Sequence, residues 1–442
     1  MDLNQEKVTG CLTGMAIGDA MGRGVNGLKP EAIRQIFGVI DDYKDVRKAV
    51  GKGIKDYRMQ GLYGAPVQCA LAVCDGLLTN KKKFLEETIK NFNELKKGGP
   101  EHFYGTFRSS ENCLWKAVDL LDNRSLEEPA PLNSATGLFS FLSIPLALFY
   151  KKWSKTLAEQ CFQLVLTFSS HPLEVVGALL NGFLVTRFLA MEESELISKR
   201  KEILEEAREI CLQAESEYQN RLNIFRGETI DKSKNGFSHT IQNLMIQIEK
   251  PEKEVLQWIV KNANDFSKQE IRHASQGFVL GLFPLALYWV LNCENDFSLA
   301  SILKQGRETE KLGCLAGAWT GAIRGAQVIP KKLKTNLVNG HEIRLRGEGL
   351  FLRRIKKDAK SLADMEMALT TKEAEEAKPY QPKEMKKIIK PVVTVDCWEE
   401  EQTIVPSKED RAQWRKFHKE KTRSKRDRRK NLPDDFFDFP AN

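Results

Sequence analysis

The chain has 442 residues, with 68 lysines and arginines against 60 acids, so its formal charge is +8; 41% of it is hydrophobic and 29% charged. These proportions exclude collagen-like, mucin-like and wholly disordered chains. The length allows two or three domains of about 150 residues, or one large domain with extensions. The N-terminal stretch has no basic segment followed by a long apolar run, so no secretory signal is expected. The nine cysteines (11, 69, 74, 113, 161, 211, 293, 314 and 397) contain no CxxC pair. Free thiols in a reducing, cytoplasmic setting are therefore expected, with neither a disulfide framework nor a zinc site, and no haem.

In chain order, the first strong pattern is a run with glycine at 10, 14, 18 and 22. Each glycine costs a helix about 1 kcal/mol relative to alanine, so four on one stripe need a compensating close approach, by another backbone or by a ligand. Two later segments, 135–150 and 277–293, are apolar all round and hold Pro145 and Pro284. Both are shorter than the roughly 20 residues a bilayer span needs, which predicts buried core helices and no membrane span. They also echo each other, Ser143–Tyr150 against Leu282–Trp289. A proline is tolerated in the first turn of a helix, which predicts two helix starts there. Between them, Ser194–Arg221 carries Ile203, Ala207, Ile210, Ala214 and Tyr218 at spacings of three and four, the mark of an amphipathic helix. The glycine rhythm then returns at 313, 317, 321 and 325. Convincing alternating strands are hard to find, so the predicted fold class is all-α.

From Leu337 onward apolar periodicity fades, which predicts a charged, partly disordered linker over 337–410. Between Arg411 and Lys430 stand eleven basic residues and two acids, a local charge of plus nine. The other 422 residues therefore carry about one net negative charge. Arg415, Lys416, Arg426, Arg428 and Arg429, near Trp414 and Phe417, suit a nucleic acid or an acidic protein partner. The other reading is a solvated charged end. The last ten residues are acidic and aromatic.

Gly10–Gly22 resembles the opening helix of the ADP-ribosylglycohydrolase family, G-x-L-x-G-x-A-x-G-D-A-x-G. Gly61–Ala72 sits where that family has a segment ending in T-D-D-T-x-M-A-L, and Ser170-His171-Pro172 matches its T-H-P turn. Phe278–Trp289 is similar to its S-V-P-A-A-L-Y helix, and Gly306–Pro330 to its G-G-D-x-D-T-x-G-x-x-A-G-A-x-x-G-A segment with a following I-P. The resemblance covers about residues 8 to 335 in the right order. It implies a compact all-α bundle over 1–336 that removes ADP-ribose from proteins or small molecules. It also implies a pair of magnesium ions held by the T-D-D and D-x-D-T segments.

The chain departs from that pattern at both segments. Gly64, Ala65 and Pro66 replace T-D-D, and Val67 replaces the following threonine. Glu308, Glu310 and Lys311 stand on D-x-D-T, and Asn26 stands where many members have a substrate-contacting glutamate. Asp19 is kept. Losing three side-chain oxygens and gaining a cation should weaken magnesium binding severely. Two readings follow for the survivors: a single weak metal site of Asp19, Glu308 and Glu310, or a surface cluster of these acids with Arg307 and Lys311. The expected protein is impaired or inactive as a hydrolase and binds ADP-ribose or an ADP-ribosylated partner. The alternatives are a hydrolase with a rebuilt site and a binder acting through the basic tail. His171 is expected to start a helix rather than to catalyse, and no nucleophile–base signature is found among the other histidines and the cysteines.

Overall fold

The computed structural model describes residues 3–380, apart from 122–128, 132–133, 227–234, 294–296, 298 and 357. The chain divides into two units, Met1–Glu399 and Glu400–Asn442, and the second lies outside the described residues. The basic stretch, with Arg415, Lys416, Arg426, Arg428 and Arg429, therefore also lies outside them.

Among the described residues there are seventeen α-helices and no strand. The first seven are α1 (Leu3–Arg23), α2 (Pro30–Ile36), α3 (Ala65–Thr79), α4 (Phe84–Lys96), α5 (Asn112–Leu120), α6 (Ser143–Tyr150) and α7 (Lys155–Phe168). Then come α8 (Pro172–Ala190), α9 (Leu196–Arg226), α10 (Gly236–Gln247), α11 (Glu252–Phe266) and α12 (Val279–Asn292). The last five are α13 (Ala300–Leu303), α14 (Thr309–Arg324), α15 (Lys331–Asn336), α16 (Gly340–Leu352) and α17 (Leu362–Ala377).

The two glycine stripes meet each other at the centre of the bundle. Helices α1 and α14 run antiparallel with their backbones in contact. A Cβ on Gly14 would lie 2.2 Å from the Gly317 carbonyl oxygen, and one on Gly18 1.9 Å from that of Gly313. A Cβ on Gly10 would fall 2.5 Å from the Gly325 carbonyl carbon. Close backbone packing thus accounts for seven of these glycines, while Gly325 ends α14 with a left-handed φ of +80°. It also fixes the C-terminal end of α1 beside the N-terminal end of α14, where the Thr309 hydroxyl donates to the Gly22 carbonyl at 2.8 Å.

Helix α9 follows its predicted periodicity, with Ile203, Ala207, Ala214 and Tyr218 buried and Ile210 packed against the core. The apolar segments form α6 and α12, both buried. Pro145 is in the first turn of α6 as predicted, but Pro284 is not a helix start. Helix α12 begins earlier because the Val279 amide donates to the Ala135 carbonyl at 3.0 Å, which leaves Pro284 inside the helix. Among the described residues one helix, Pro172–Ala190, is long and apolar enough to cross a membrane, and 89% of its most apolar 18 residues are buried within the protein. Cys11, Cys69, Cys74, Cys113, Cys161, Cys211 and Cys314 are buried free thiols.

Residues 337–380 differ from the predicted linker: they carry α16 and α17, packed onto the body. Buried ion pairs anchor them beside the core residues Ile343, Leu350, Leu362 and Met365, and the density of charge is why hydropathy misses them. Arg346, 2% exposed, pairs with Asp75 at 2.8 Å and Glu342 at 3.1 Å. Glu366 pairs with Arg108 at 2.6 Å with neither side chain exposed, and Glu373 grips Arg23 through two contacts of 2.6 and 2.7 Å. Removing one partner of such a pair costs about 3–5 kcal/mol, because it strands a buried charge. The folded body therefore reaches at least residue 380, well past 336.

Candidate functional site

Four segments bring the candidate residues to one end of the bundle. The last turn of α1 supplies Asp19 and Arg23, and the turn after it supplies Asn26. The start of α3 supplies Gly64, Ala65 and Pro66, and the start of α14 supplies Glu308, Glu310 and Lys311. The Gly27 amide donates to the Arg307 carbonyl and the Arg307 amide to the Leu28 carbonyl, each at 2.8 Å, which ties the α1 turn to the approach to α14.

Asp19 is fully buried and turned toward the start of α3. Its Oδ1 accepts from the Gly64 amide at 2.8 Å and its Oδ2 from the Val67 amide at 3.3 Å. A carboxylate here meets the orphan N–H groups and positive end of the helix dipole. Burial pushes its carboxyl up all the same, while the two amides and Arg23 pull the other way.

Glu310, 4% exposed, meets the same glycine from the other side. Its Oε1 lies 2.0 Å from where a Gly64 Cβ would begin and has no hydrogen-bond partner. Its Oε2 lies 3.5 Å from the Asn26 amide nitrogen, at the outer limit of a hydrogen bond. Burial, and then the Asp19 charge, push the Glu310 carboxyl well above the carboxylate range. Arg23 and Arg58 oppose that rise; the Arg58 guanidinium donates to the Arg23 carbonyl at 2.6 Å and the Asn26 carbonyl at 3.0 Å.

Glu308 does not join Asp19 and Glu310. It stands at the cap of α14, its amide donating to the Ser275 carbonyl at 3.1 Å and its side chain lying against Gly277. Its carboxylate faces Lys311, 3.6 Å from Nζ. Lys311 is 3% exposed, pairs with Glu111 and donates to the Thr136 carbonyl at 3.1 Å. Burial alone would lower this ammonium, but the Glu111 and Glu308 carboxylates hold it above the ordinary lysine range. The reading of these residues as a surface cluster does not hold, since Glu310 and Lys311 are both core residues.

Three contributors were not singled out in the sequence: Glu111, Thr136 and Glu174. Glu174 is fully buried, accepts from the Gly137 amide through Oε1 at 2.5 Å, and leaves Oε2 without a partner. Burial raises its carboxyl to about 8, and the Gly137 amide and Lys311 limit the rise. A lone acid in the otherwise apolar first turns of helix α8 is the signal that could have found it. His171 caps that helix, its Nδ1 accepting from the Leu173 amide at 3.1 Å, as expected of a helix start. Burial lowers it to about 3, so it is a neutral acceptor at ordinary pH.

The donors present do not fit a dinuclear magnesium centre. Magnesium takes hard oxygen ligands in near-octahedral geometry. Gly64, Ala65 and Pro66 offer no side-chain oxygen, both Asp19 oxygens are engaged by backbone amides, and Lys311 brings an ammonium group. Among the described residues, no three histidine, cysteine, aspartate or glutamate side chains are grouped to hold a metal ion.

A profile of the ADP-ribosylglycohydrolase family matches residues 1–368, and the chain belongs to that family. The match runs beyond residue 336 through α16 and into α17, in keeping with their packing. A solved structure of an "ADP-ribosylglycohydrolase-related protein complex" superposes with a TM-score of 0.52 at 16% identity, covering 80% of this chain and all of that one. At that identity the likeness concerns the fold, which is the all-α family fold. No curated protein matches the chain by sequence.

Proposed function

We propose that this family member is a binding or regulatory module for ADP-ribose or an ADP-ribosylated partner and has lost magnesium-dependent hydrolysis. The observation that carries the reading is the joint replacement at the two ligand segments: Gly64, Ala65 and Pro66 on one, buried Lys311 on the other. Two-metal hydrolysis needs ions that orient water and stabilise developing charge, and these residues supply no such pair of sites. A carboxyl at Glu310 with an unpartnered buried oxygen, beside Asn26 and Arg58, leaves polar groups for a ligand to satisfy. Free, buried cysteines support an intracellular setting.

Titration calorimetry of ADP-ribose into the full chain in the presence of a chelator tests the reading. Saturable binding that is lost in Glu310→Ala is the expected result. Binding that appears only when magnesium is added would overturn it.

A second reading concerns the basic run alone, because a local charge of plus nine sits on a chain that is otherwise near neutral. A nucleic acid or acidic protein would bind it mainly through released counterions. Deleting 411–430 should then abolish binding to a mixed-sequence oligonucleotide and its salt dependence; an unchanged affinity would exclude this reading.

A further inference from the structure

We infer that Lys311 is an internal cation: its ammonium fills a hard-cation pocket formed by the Glu111 and Glu308 carboxylates and the Thr136 carbonyl, and so closes this end of the bundle to divalent metal ions. The inference rests on the reading of the site as metal-free and names the group that makes it so.

The geometry is that of a cation and its oxygen donors. Nζ is paired with Glu111, lies 3.1 Å from the Thr136 oxygen and 3.6 Å from Glu308, and belongs to a side chain only 3% exposed. The donors come from three separate parts of the chain: the residue before α5, the turn before α6, and the cap of α14. An ordinary surface pair does not gather a carbonyl and two carboxylates around one buried amine.

A third acid feels the same ammonium group. Glu174 is fully buried, its Oε2 has no partner, and Lys311 and Glu111 both act on its charge. Without Lys311 the Glu111 and Glu308 carboxylates and the Thr136 carbonyl would lose the ammonium group they share. Oxygen sets of that kind, completed by water, are what magnesium and manganese bind. The lysine stem also matters: a charge fixed covalently needs no dissolved ion and leaves no open coordination position for substrate or water.

The test is manganese binding to the full chain, read by electron paramagnetic resonance of free Mn²⁺, for wild type, Lys311→Met and Lys311→Arg. The expected result is that Lys311→Met binds Mn²⁺ at least about tenfold more tightly than wild type, while Lys311→Arg does not, because charge rather than shape excludes the ion. The gain should vanish in Lys311→Met combined with Glu111→Gln and Glu308→Gln. If Lys311→Met does not fold, Lys311→Gln, which keeps a donor for the Thr136 carbonyl, is read in the same way. A folded neutral variant that binds Mn²⁺ no better than wild type overturns the inference and leaves the metal-free reading intact. Tight Mn²⁺ binding by wild type itself overturns both.

Discussion

Glu310 Oε1 occupies the space that a side chain on Gly64 would need, 2.0 Å from the position of its missing Cβ. The two departures from the family pattern are thus one structural event. A longer acid on α14 reaches across into room left by a glycine at the start of α3. Gly64 has an ordinary negative φ of −108°, so only space, not backbone strain, opposes a larger residue there. Gly64→Ala should destabilise the protein by about 1–3 kcal/mol through overpacking. In a Glu310→Ala background the same change should cost at least about 1 kcal/mol less. Urea denaturation of the four proteins measures the coupling, and strictly additive effects would show that the two residues are independent.

The α1–α14 contact predicts a reversal of helix propensity. An exposed helical glycine replaced by alanine normally gains about 1 kcal/mol. Gly18→Ala should instead lose about 3 kcal/mol or more, since the new methyl would meet the Gly313 carbonyl, a backbone group that cannot rotate away. A lowered melting temperature is the readout. A variant as stable as wild type would mean the two backbones are not in contact.

Helix α17 should be indispensable to the body. Glu373→Ala leaves Arg23 buried without its bidentate partner and should cost about 3–5 kcal/mol. A chain ending at residue 336 should fail to fold, because Arg23 and Arg108 would both lose their carboxylates, whereas one ending at 380 should fold. Expression and thermal melting of the two truncations decide this, and a stable 1–336 fragment would contradict it.

Glu174 sets a pH dependence whose sign follows from burial. Its carboxyl rises from 4.5 to about 8 in the folded protein, so between those values the folded state holds a proton that the unfolded state has released. The stabilisation is complete below about pH 4.5 and is lost as pH rises toward 8. Glu174→Gln, which keeps an acceptor for the Gly137 amide, should flatten this decline and exceed wild type at pH 8 by on the order of 2 kcal/mol. Parallel stability–pH curves for the two proteins would refute it.

Much of this architecture is legible in the sequence because its causes are local. Glycines at intervals of four can only be afforded where another backbone approaches, and α9 repeats its apolar residues in helical register. What the sequence hid was non-local. Helices α16 and α17 read as a charged linker because Arg346, Glu366 and Glu373 look solvated until their partners Asp75, Arg108 and Arg23, hundreds of residues away, are in place. The same holds at the site. Asp19 and Glu310 do converge at Gly64, but Glu308 points away to Lys311. Glu111 and Thr136, which surround that lysine, carry no motif at all. Pro284 falls inside α12, which begins at Val279, where a long-range bond to the Ala135 carbonyl satisfies the first amide.

The central claim is that this site does not perform magnesium-dependent hydrolysis. Its most direct test is the release of ADP-ribose from ADP-ribosylated arginine, ADP-ribosylated serine and acetyl-ADP-ribose by the full chain, with magnesium and with a chelator. The predicted result is no release above background from any of the three under either condition. Robust turnover that requires magnesium, and that is abolished in Asp19→Ala and Glu310→Ala, would contradict it.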